Sequence, residues 1–334
     1  MSVRFGLLGA GRIGKVHARA VGANSDGRLA AVADALPKAA KDIAVAYGAE
    51  VRSIDDIAKA KDIDAVVICT PTDTHADLIE KFARAGKAIF CEKPIDLSVA
   101  RVRQCLEVVD KTKATLMVGF NRRFDPHFMA VKEAVDAGSV GKVEQVQITS
   151  RDPGPPPYDY IARSGGIFRD MTIHDLDMAR FLLGAEPVSV TAHGSVLVDR
   201  EIGRHGDFDT ATVVLTTRSG QQCVITNSRR ATYGYDQRVE VLGAKGMVAA
   251  ENQRPVSIEI ATAKGFLRPP LHDFFMTRYI AAYAGEIAAF IAAVKSNSQA
   301  KPDGSDGLAA LLLAEAAVRS VAEKRTVQIK EITG

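Results

Sequence analysis

Residues 3–14 read VRFGLLGAGRIG, a short apolar run that ends in Gly9-Ala-Gly11-Arg-Ile-Gly14. An unbroken apolar run, rather than an alternating one, is what a strand covered on both faces requires. The glycines fit a G-x-G-x-x-G turn that opens a helix. The first allows the tight turn, the second lets a pyrophosphate approach the backbone, and the third lets helix and strand pack closely. Alone the pattern is weak, but its surroundings agree with it. A second apolar strand, residues 29–33, ends at Asp34, about 20 residues past the last glycine, where the dinucleotide fold places the acid that binds the ribose hydroxyls. The carboxylate of Asp34 repels a 2′-phosphate, and Ala35 and Leu36 supply no cation, so the turn is expected to take NAD rather than NADP.

The alternation of strand and helix continues outward. Pro37 suits the first turn of a helix over 37–47, and Ser53-Ile-Asp-Asp56 resembles a capping box for a short one. Residues 65–69 form another apolar strand, ended by Thr70-Pro71-Thr72-Asp73-Thr74-His75. That loop leaves the carboxyl end of a parallel strand, the edge where open sheets bind ligands. His75 either touches the cofactor there or begins the helix that runs to Gly86. The strand over 87–91 leads into Glu92-Lys93-Pro94. A lysine just past a buried strand, locked by a proline, either reaches a substrate hydroxyl or is a solvated loop lysine. A helix over 98–111 and a strand over 115–119 complete a six-stranded, doubly wound parallel domain spanning 1–120, an α/β Rossmann arrangement.

From 121 to 334 the pattern changes to a substrate and oligomerisation domain of α+β type. A helix over 126–137 precedes strands over 143–150, 188–198, 210–218, 221–229, 236–242, 246–250 and 255–262, which predict one large, mainly antiparallel sheet. Several strands carry apolar residues on both faces, as in Ala211-Thr-Val-Val-Leu215, so the face without helices is expected to meet a second copy of the chain. Helices over 273–295 and 305–323 and a short strand over 326–330 close the chain.

The second decisive stretch is residues 165–184, GGIFRDMTIHDLDMARFLLG. Read as one helix over 170–183 at roughly 100° per residue, it puts Thr172, Leu176, Ala179 and Leu183 on one side and Asp170, His174 and Asp177 on the other. The remaining circumference is apolar, so the polar stripe is expected to line a cleft rather than face bulk water. Asp170 and His174, at i and i+4, can touch. That is the arrangement of a carboxylate orienting an imidazole for proton transfer; the alternative is a buried histidine satisfied by a carboxylate. The spacing fits no zinc motif, and no metal is expected.

Composition narrows the function classes. The 334 residues are 47% hydrophobic and 25% charged with net charge +3, which gives no basic footprint for nucleic acid and no polybasic membrane anchor. The N-terminus reads as neither signal peptide nor membrane span. Cys69, Cys91, Cys105 and Cys223 form no C-x-x-C pair, which fits reduced thiols in the cytoplasm. Pro153 to Pro157 (PGPPP) is a stiff loop.

The glycine turn, Glu92-Lys93-Pro94 and Gly165-Gly-x-x-x-Asp170-x-x-x-His174-Asp-x-Asp177, in this order along the whole chain, resemble the family of glucose-fructose oxidoreductase and inositol dehydrogenase. Phe120-Asn-Arg-Arg-Phe-Asp125, Ser150-Arg-Asp-Pro153 and Tyr233-Gly-Tyr-Asp236 are similar to the substrate-facing segments of its inositol-oxidising members. The resemblance implies an NAD-dependent homotetramer that oxidises a ring alcohol of a cyclic polyol such as myo-inositol, with Lys93, Asp170 and His174 in the catalytic positions. It implies cofactor contacts from Gly9, Gly11, Arg12, Ile13, Gly14, Asp34, Thr70, Pro71, His75, Glu92 and Lys93. Polyol contacts fall to Lys93, Arg123, Asp152, Asp170, His174, Tyr233 and Tyr235, with Arg122 and Asp177 as further candidates. Scyllo-inositol or another sugar remains an alternative substrate, and a non-catalytic NAD-binding regulator an alternative class.

If Asp34 selects the cofactor, turnover with NAD exceeds that with NADP at matched concentrations. Equal rates in the two assays would overturn the assignment.

Overall fold

The N-terminal apolar run is strand β1 (Val3–Leu8), and the glycine turn opens helix α1 (Arg12–Gly22). The chain then alternates through β2 (Gly27–Ala33), α2 (Pro37–Tyr47), β3 (Glu50–Val51), α3 (Ile54–Lys59), β4 (Ala65–Ile68), α4 (His75–Arg84), β5 (Ala88–Cys91), α5 (Val99–Thr112) and β6 (Leu116–Val118). The six strands pair in parallel in the order β3-β2-β1-β4-β5-β6. The order reverses between β1 and β4, and the loops after those strands carry the glycine turn and Thr70–His75, so the ligand-binding edge lies where a doubly wound sheet places it. Local chemistry explains the helix starts. Ser53 caps α3 by accepting the Asp56 N–H, Ser98 caps α5 by accepting the Arg101 N–H, and Pro37 sits in the first turn of α2. In β4 every residue is buried, which the unbroken apolar sequence requires.

This is a computed structural model, and it describes residues 2–333. Beyond Phe124 come α6 (Pro126–Asp136), β7 (Val143–Arg151), α7 (Tyr158–Ile161), α8 (Ile167–Asp170), α9 (Thr172–Leu183), β8 (Pro187–Ser195), α10 (Arg200–Arg204), β9 (Thr210–Thr217), β10 (Gln222–Ser228), β11 (Asp236–Gly243) and β12 (Gly246–Ala250). A hairpin of β13 (Ile260–Thr262) and β14 (Gly265–Leu267), helices α11 (Phe275–Arg278), α12 (Ile280–Ser296) and α13 (Gly304–Glu323), strand β15 (Val327–Gln328) and α14 (Lys330–Thr333) follow. The second sheet runs β12-β11-β7-β10-β9-β8-β15. Its one parallel pair is β7 with β10; the others are antiparallel, as expected of this region.

Two expectations about this sheet need correction. Residues 255–262 do not enter it: only Ile260–Thr262 is extended, and it pairs with Gly265–Leu267 in a separate hairpin. Val256, Ile258, Ile260, Phe266 and Leu267 stay exposed there, so their alternation marks a surface rather than a core strand. The seventh place goes to β15, whose two residues pair with Ser189 and Val190.

The chain also divides differently from the expected break at residue 120. One compact unit takes in the residues up to Phe124 together with Ile280–Leu311; the other holds Asp125–Tyr279 and the chain from Leu312 onward. The physical reason lies in α12, which is apolar over much of its surface. Its Phe290 is fully buried, with ring centroids 6.1 Å from Phe5 on β1 and 5.8 Å from Phe90 on β5. The helix therefore completes the core of the parallel sheet. Phe290→Ala should lower the unfolding free energy by roughly 3–5 kcal/mol in a denaturant titration; a loss within about 1 kcal/mol would mean that α12 does not cover that core.

Candidate active site

In the first unit, polar chemistry gathers at the carboxyl ends of the strands. Gly9 has φ +95°, and a Cβ there would lie 2.5 Å from the Cys69 carbonyl oxygen, so only glycine fits. A Cβ at Gly14 would lie 2.0 Å from the Gly9 carbonyl oxygen, so α1 starts directly against the strand end. Gly11 differs, because a Cβ there meets nothing within 4 Å. The open side of the turn thus adjoins the start of α1, which has neither a side-chain cap nor an acidic residue in its first turn. An uncapped helix N-terminus beside an open glycine is a seat for a phosphate. Arg12 and Ile13 border it, exposed and half-buried respectively. Asp34 ends β2, with Oδ2 accepting the Ala10 N–H at 2.5 Å and Oδ1 the Leu36 N–H at 2.7 Å. Its carboxylate is thereby fixed beside the turn, as a ribose ligand must be, and the whole set fits a dinucleotide.

The loop after β4 is braced rather than open. Thr70 Oγ1 lies 2.6 Å from Thr74 Oγ1, and Pro71 precedes a single turn over Thr72–Thr74. His75 begins α4 and is buried, with Nδ1 2.8 Å from the Pro94 carbonyl oxygen and Nε2 2.8 Å from that of Thr70. Both ring nitrogens face backbone carbonyls, so His75 ties two loops together. Glu92 is likewise buried and turned inward, its Oε1 2.7 Å from His17 Nε2. Lys93 is half-buried, its N–H donates to Glu92 Oε2 at 3.3 Å, and its bond to Pro94 is cis. Arg123 pairs with Asp306 at 3.0 Å, and Arg122 is buried.

In the second unit the expected single helix over 170–183 is two. α8 ends at Asp170, Met171 breaks the run, and α9 starts at Thr172. Separate anchors explain the break. Asp207 accepts the first N–H of α8, from Ile167, at 2.8 Å. Asn227 on β10 fixes the start of α9, accepting from Thr172 Oγ1 at 2.7 Å and donating to Asp175 Oδ2 at 2.8 Å. From Met171 to Ala179 every residue is buried except His174, which is half-exposed. Asp177, expected to line a cleft with Asp170 and His174, is buried and pairs with Arg180 at 3.5 Å.

Asp170 is held by residues that the sequence did not point out. Tyr160 Oη donates to its Oδ1 at 2.7 Å, and Arg229 Nη2 lies 3.9 Å from its Oδ2. Arg229 is 1% exposed and donates to Asp207 Oδ2 at 3.1 Å, so one buried guanidinium joins Asp170 to the carboxylate that starts α8. Nothing local marks these partners: Tyr160 follows the proline loop, and Arg229 lies past the end of β10. Of the expected polyol contacts, Asp152 is half-buried with its N–H on the Ser228 carbonyl at 2.9 Å. Tyr233 Oη donates to Asp236 at 2.6 Å and accepts from Arg151 at 2.8 Å. Tyr235 is buried in an aromatic cluster, 5.9 Å from both Phe274 and Tyr279. A cavity of about 800 Å³ lined by Gln147, Thr149, Tyr233, Asp236 and Arg238 includes neither Asp170 nor His174.

The chain matches known proteins over nearly its whole length. Residues 3–120 match the model of an oxidoreductase family with an NAD-binding Rossmann fold, and residues 128–249 match the GFO/IDH/MocA C-terminal domain. The chain is 73% identical over 329 residues to an inositol 2-dehydrogenase of Rhizobium meliloti, covering 98% of this chain and 100% of that protein. It superimposes on a myo-inositol dehydrogenase from Corynebacterium glutamicum with TM-score 0.95 and 45% identity, over 98% and 99% of the two chains. A scyllo-inositol dehydrogenase from Lactobacillus casei, solved with bound NAD(H) and scyllo-inositol, matches with TM-score 0.92 and 28% identity over 99% and 100%.

Replacing Arg229 by Met leaves Asp207 buried without its counter-ion. Stability should fall by roughly 3–5 kcal/mol in urea unfolding, and an unchanged midpoint would show that the pair holds nothing.

Proposed function

Because the chain belongs to the GFO/IDH/MocA family of oxidoreductases, we propose that it oxidises a ring secondary alcohol of an inositol, myo-inositol to its 2-keto product, with NAD. Oxidising such an alcohol requires removing the hydroxyl proton as a hydride leaves the same carbon. NAD, when bound at the glycine turn and Asp34, supplies the hydride acceptor. The chain supplies the proton path. His174 is the base, Asp170 fixes its tautomer and stabilises the imidazolium, and Lys93 donates a hydrogen bond to the reacting oxygen. Arg123, Asp152 and Tyr233 meet the other hydroxyls, with Tyr235 packed beneath that turn.

The observation that carries this reading is the exposure of His174. A helix buried from Met171 to Ala179 opens at one residue, and that residue is the imidazole. A histidine satisfied in a core would be covered like its neighbours. Asp170 is oriented by the Tyr160 hydroxyl and the Arg229 guanidinium, as a carboxylate that must hold one rotamer requires. The myo and scyllo isomers differ only in the orientation of one hydroxyl, and structural relatives of both kinds exist, so scyllo-inositol is the competing substrate. The regulator reading is disfavoured by the presence of both Lys93 and His174.

We further propose a homotetramer, supported by the exposed apolar hairpin at Ile260, Phe266 and Leu267. A cytoplasmic role in inositol catabolism is supported by four buried free cysteines and by NAD as oxidant. Among the described residues no helix is long and apolar enough to cross a membrane.

His174→Ala should reduce kcat by roughly 10² to 10⁴ with NAD affinity nearly unchanged, and Lys93→Met should be similarly damaging. A panel of inositols and sugars with NAD, followed by absorbance of the reduced cofactor, should give the highest kcat/KM for myo-inositol. Near-normal turnover in His174→Ala would place the base elsewhere, and a faster hexose or scyllo-inositol would reassign the substrate.

A further inference from the structure

The first unit contains a buried imidazole that the reaction above leaves unused. His17 lies on α1, fully buried, with the Phe90 and Tyr283 rings against it at 4.9 and 5.5 Å between centroids. Its Nε2 is 2.7 Å from Glu92 Oε1, and its Nδ1 is 3.9 Å from Oε1 of Glu286 on α12. Glu286 is fully buried, and among the described residues neither its carboxyl oxygens nor His17 Nδ1 has a hydrogen-bond partner. A carboxylate in such a place is costly unless it keeps its proton. Burial, and then the charge of Glu92, pushes the Glu286 carboxyl well up. Glu286 thus sits beside the ring as a polar group whose protonated form is favoured.

Glu92 is where this cluster meets the chemistry. One carboxyl oxygen faces His17, and the other accepts the Lys93 N–H at 3.3 Å. The carboxyl packs so closely on Gly119 that a Cβ there would lie 3.2 Å from Glu92 Cδ. A buried carboxylate with a donor on each oxygen and backbone against its flank is held in one rotamer. One of its ends rests on the helix that leaves the glycine turn, the other on the peptide that carries Lys93. We propose that His17 and Glu286 are positioning residues: His17 holds the Glu92 carboxylate and Glu286 backs the His17 ring, which fixes the Lys93 peptide, and so its ammonium, relative to the glycine turn.

The proposal rests on the role given above to Lys93, and one set of variants separates the two. His17→Phe keeps an aromatic ring in the pocket but removes the donor. Its kcat with myo-inositol and NAD should fall by roughly 10- to 100-fold, the scale of a misplaced catalytic group, while the NADH dissociation constant, read by fluorescence, stays within about twofold. His17→Gln, whose amide can still donate to Glu92, should recover most of the loss. In a double-mutant cycle, His17→Phe combined with Lys93→Met should be no slower than Lys93→Met alone, because the clamp acts only through that lysine. Undiminished kcat in His17→Phe, equal loss of NADH affinity, no recovery in His17→Gln, or multiplied losses in the double variant would each overturn the clamp. If His17→Phe does not fold, Glu286→Leu enters the same cycle with the same expectations. Normal turnover in Lys93→Met would instead defeat the role of the lysine itself.

Discussion

A Cβ at Gly14 would stand 2.0 Å from the Gly9 carbonyl oxygen, and this missing atom sets how closely α1 can approach β1. From that distance the rest of the first unit follows. The helix start is left bare for an anion, and Asp34 can reach across to the Ala10 N–H. His17, one turn further along α1, comes into register with Glu92 at the end of the next-but-one strand. Binding surface and lysine loop are thus set by one steric condition, felt first at the backbone and only then at side chains.

The second unit solves a different problem, that of polar residues on two consecutive helices with little solvent around them. Leaving a carboxylate buried and unpaired would cost several kcal/mol, so each is given a partner. Asp175 takes the amide of Asn227, Asp177 takes Arg180, and Asp170 takes Tyr160. His174 is the exception to burial.

What could be read from the residues alone follows how local each determinant is. The glycine turn, the caps at Ser53 and Ser98, and the continuous apolar strands state their conformation in a few adjacent residues, and the parallel sheet was legible from them. The placement of α12 was not. Its composition says that it is buried, but not that Phe5 and Phe90 bury it. The alternation at Val256, Ile258 and Ile260 satisfied a strand pattern with no core behind it, while the true edge strand, Val327–Gln328, is too short to leave a pattern. Asp170 and His174 were found because they are close in sequence. Tyr160, Asp207, Arg229 and Glu286 were missed because each acquires meaning only from a partner brought in by the fold. The break at Met171 belongs to the same class, since Asp207 and Asn227 impose it from outside the helix.

The return of residues 280–311 to the unit that begins the chain has a temporal side. When the ribosome has translated the sixth parallel strand, Phe290 and Glu286 are still more than 150 codons away from being made. The nascent sheet must therefore emerge with its flank against Phe5 and Phe90 still wet, and His17 without its far neighbour. Long-range closure of this kind favours slow folding and a need for protection during synthesis.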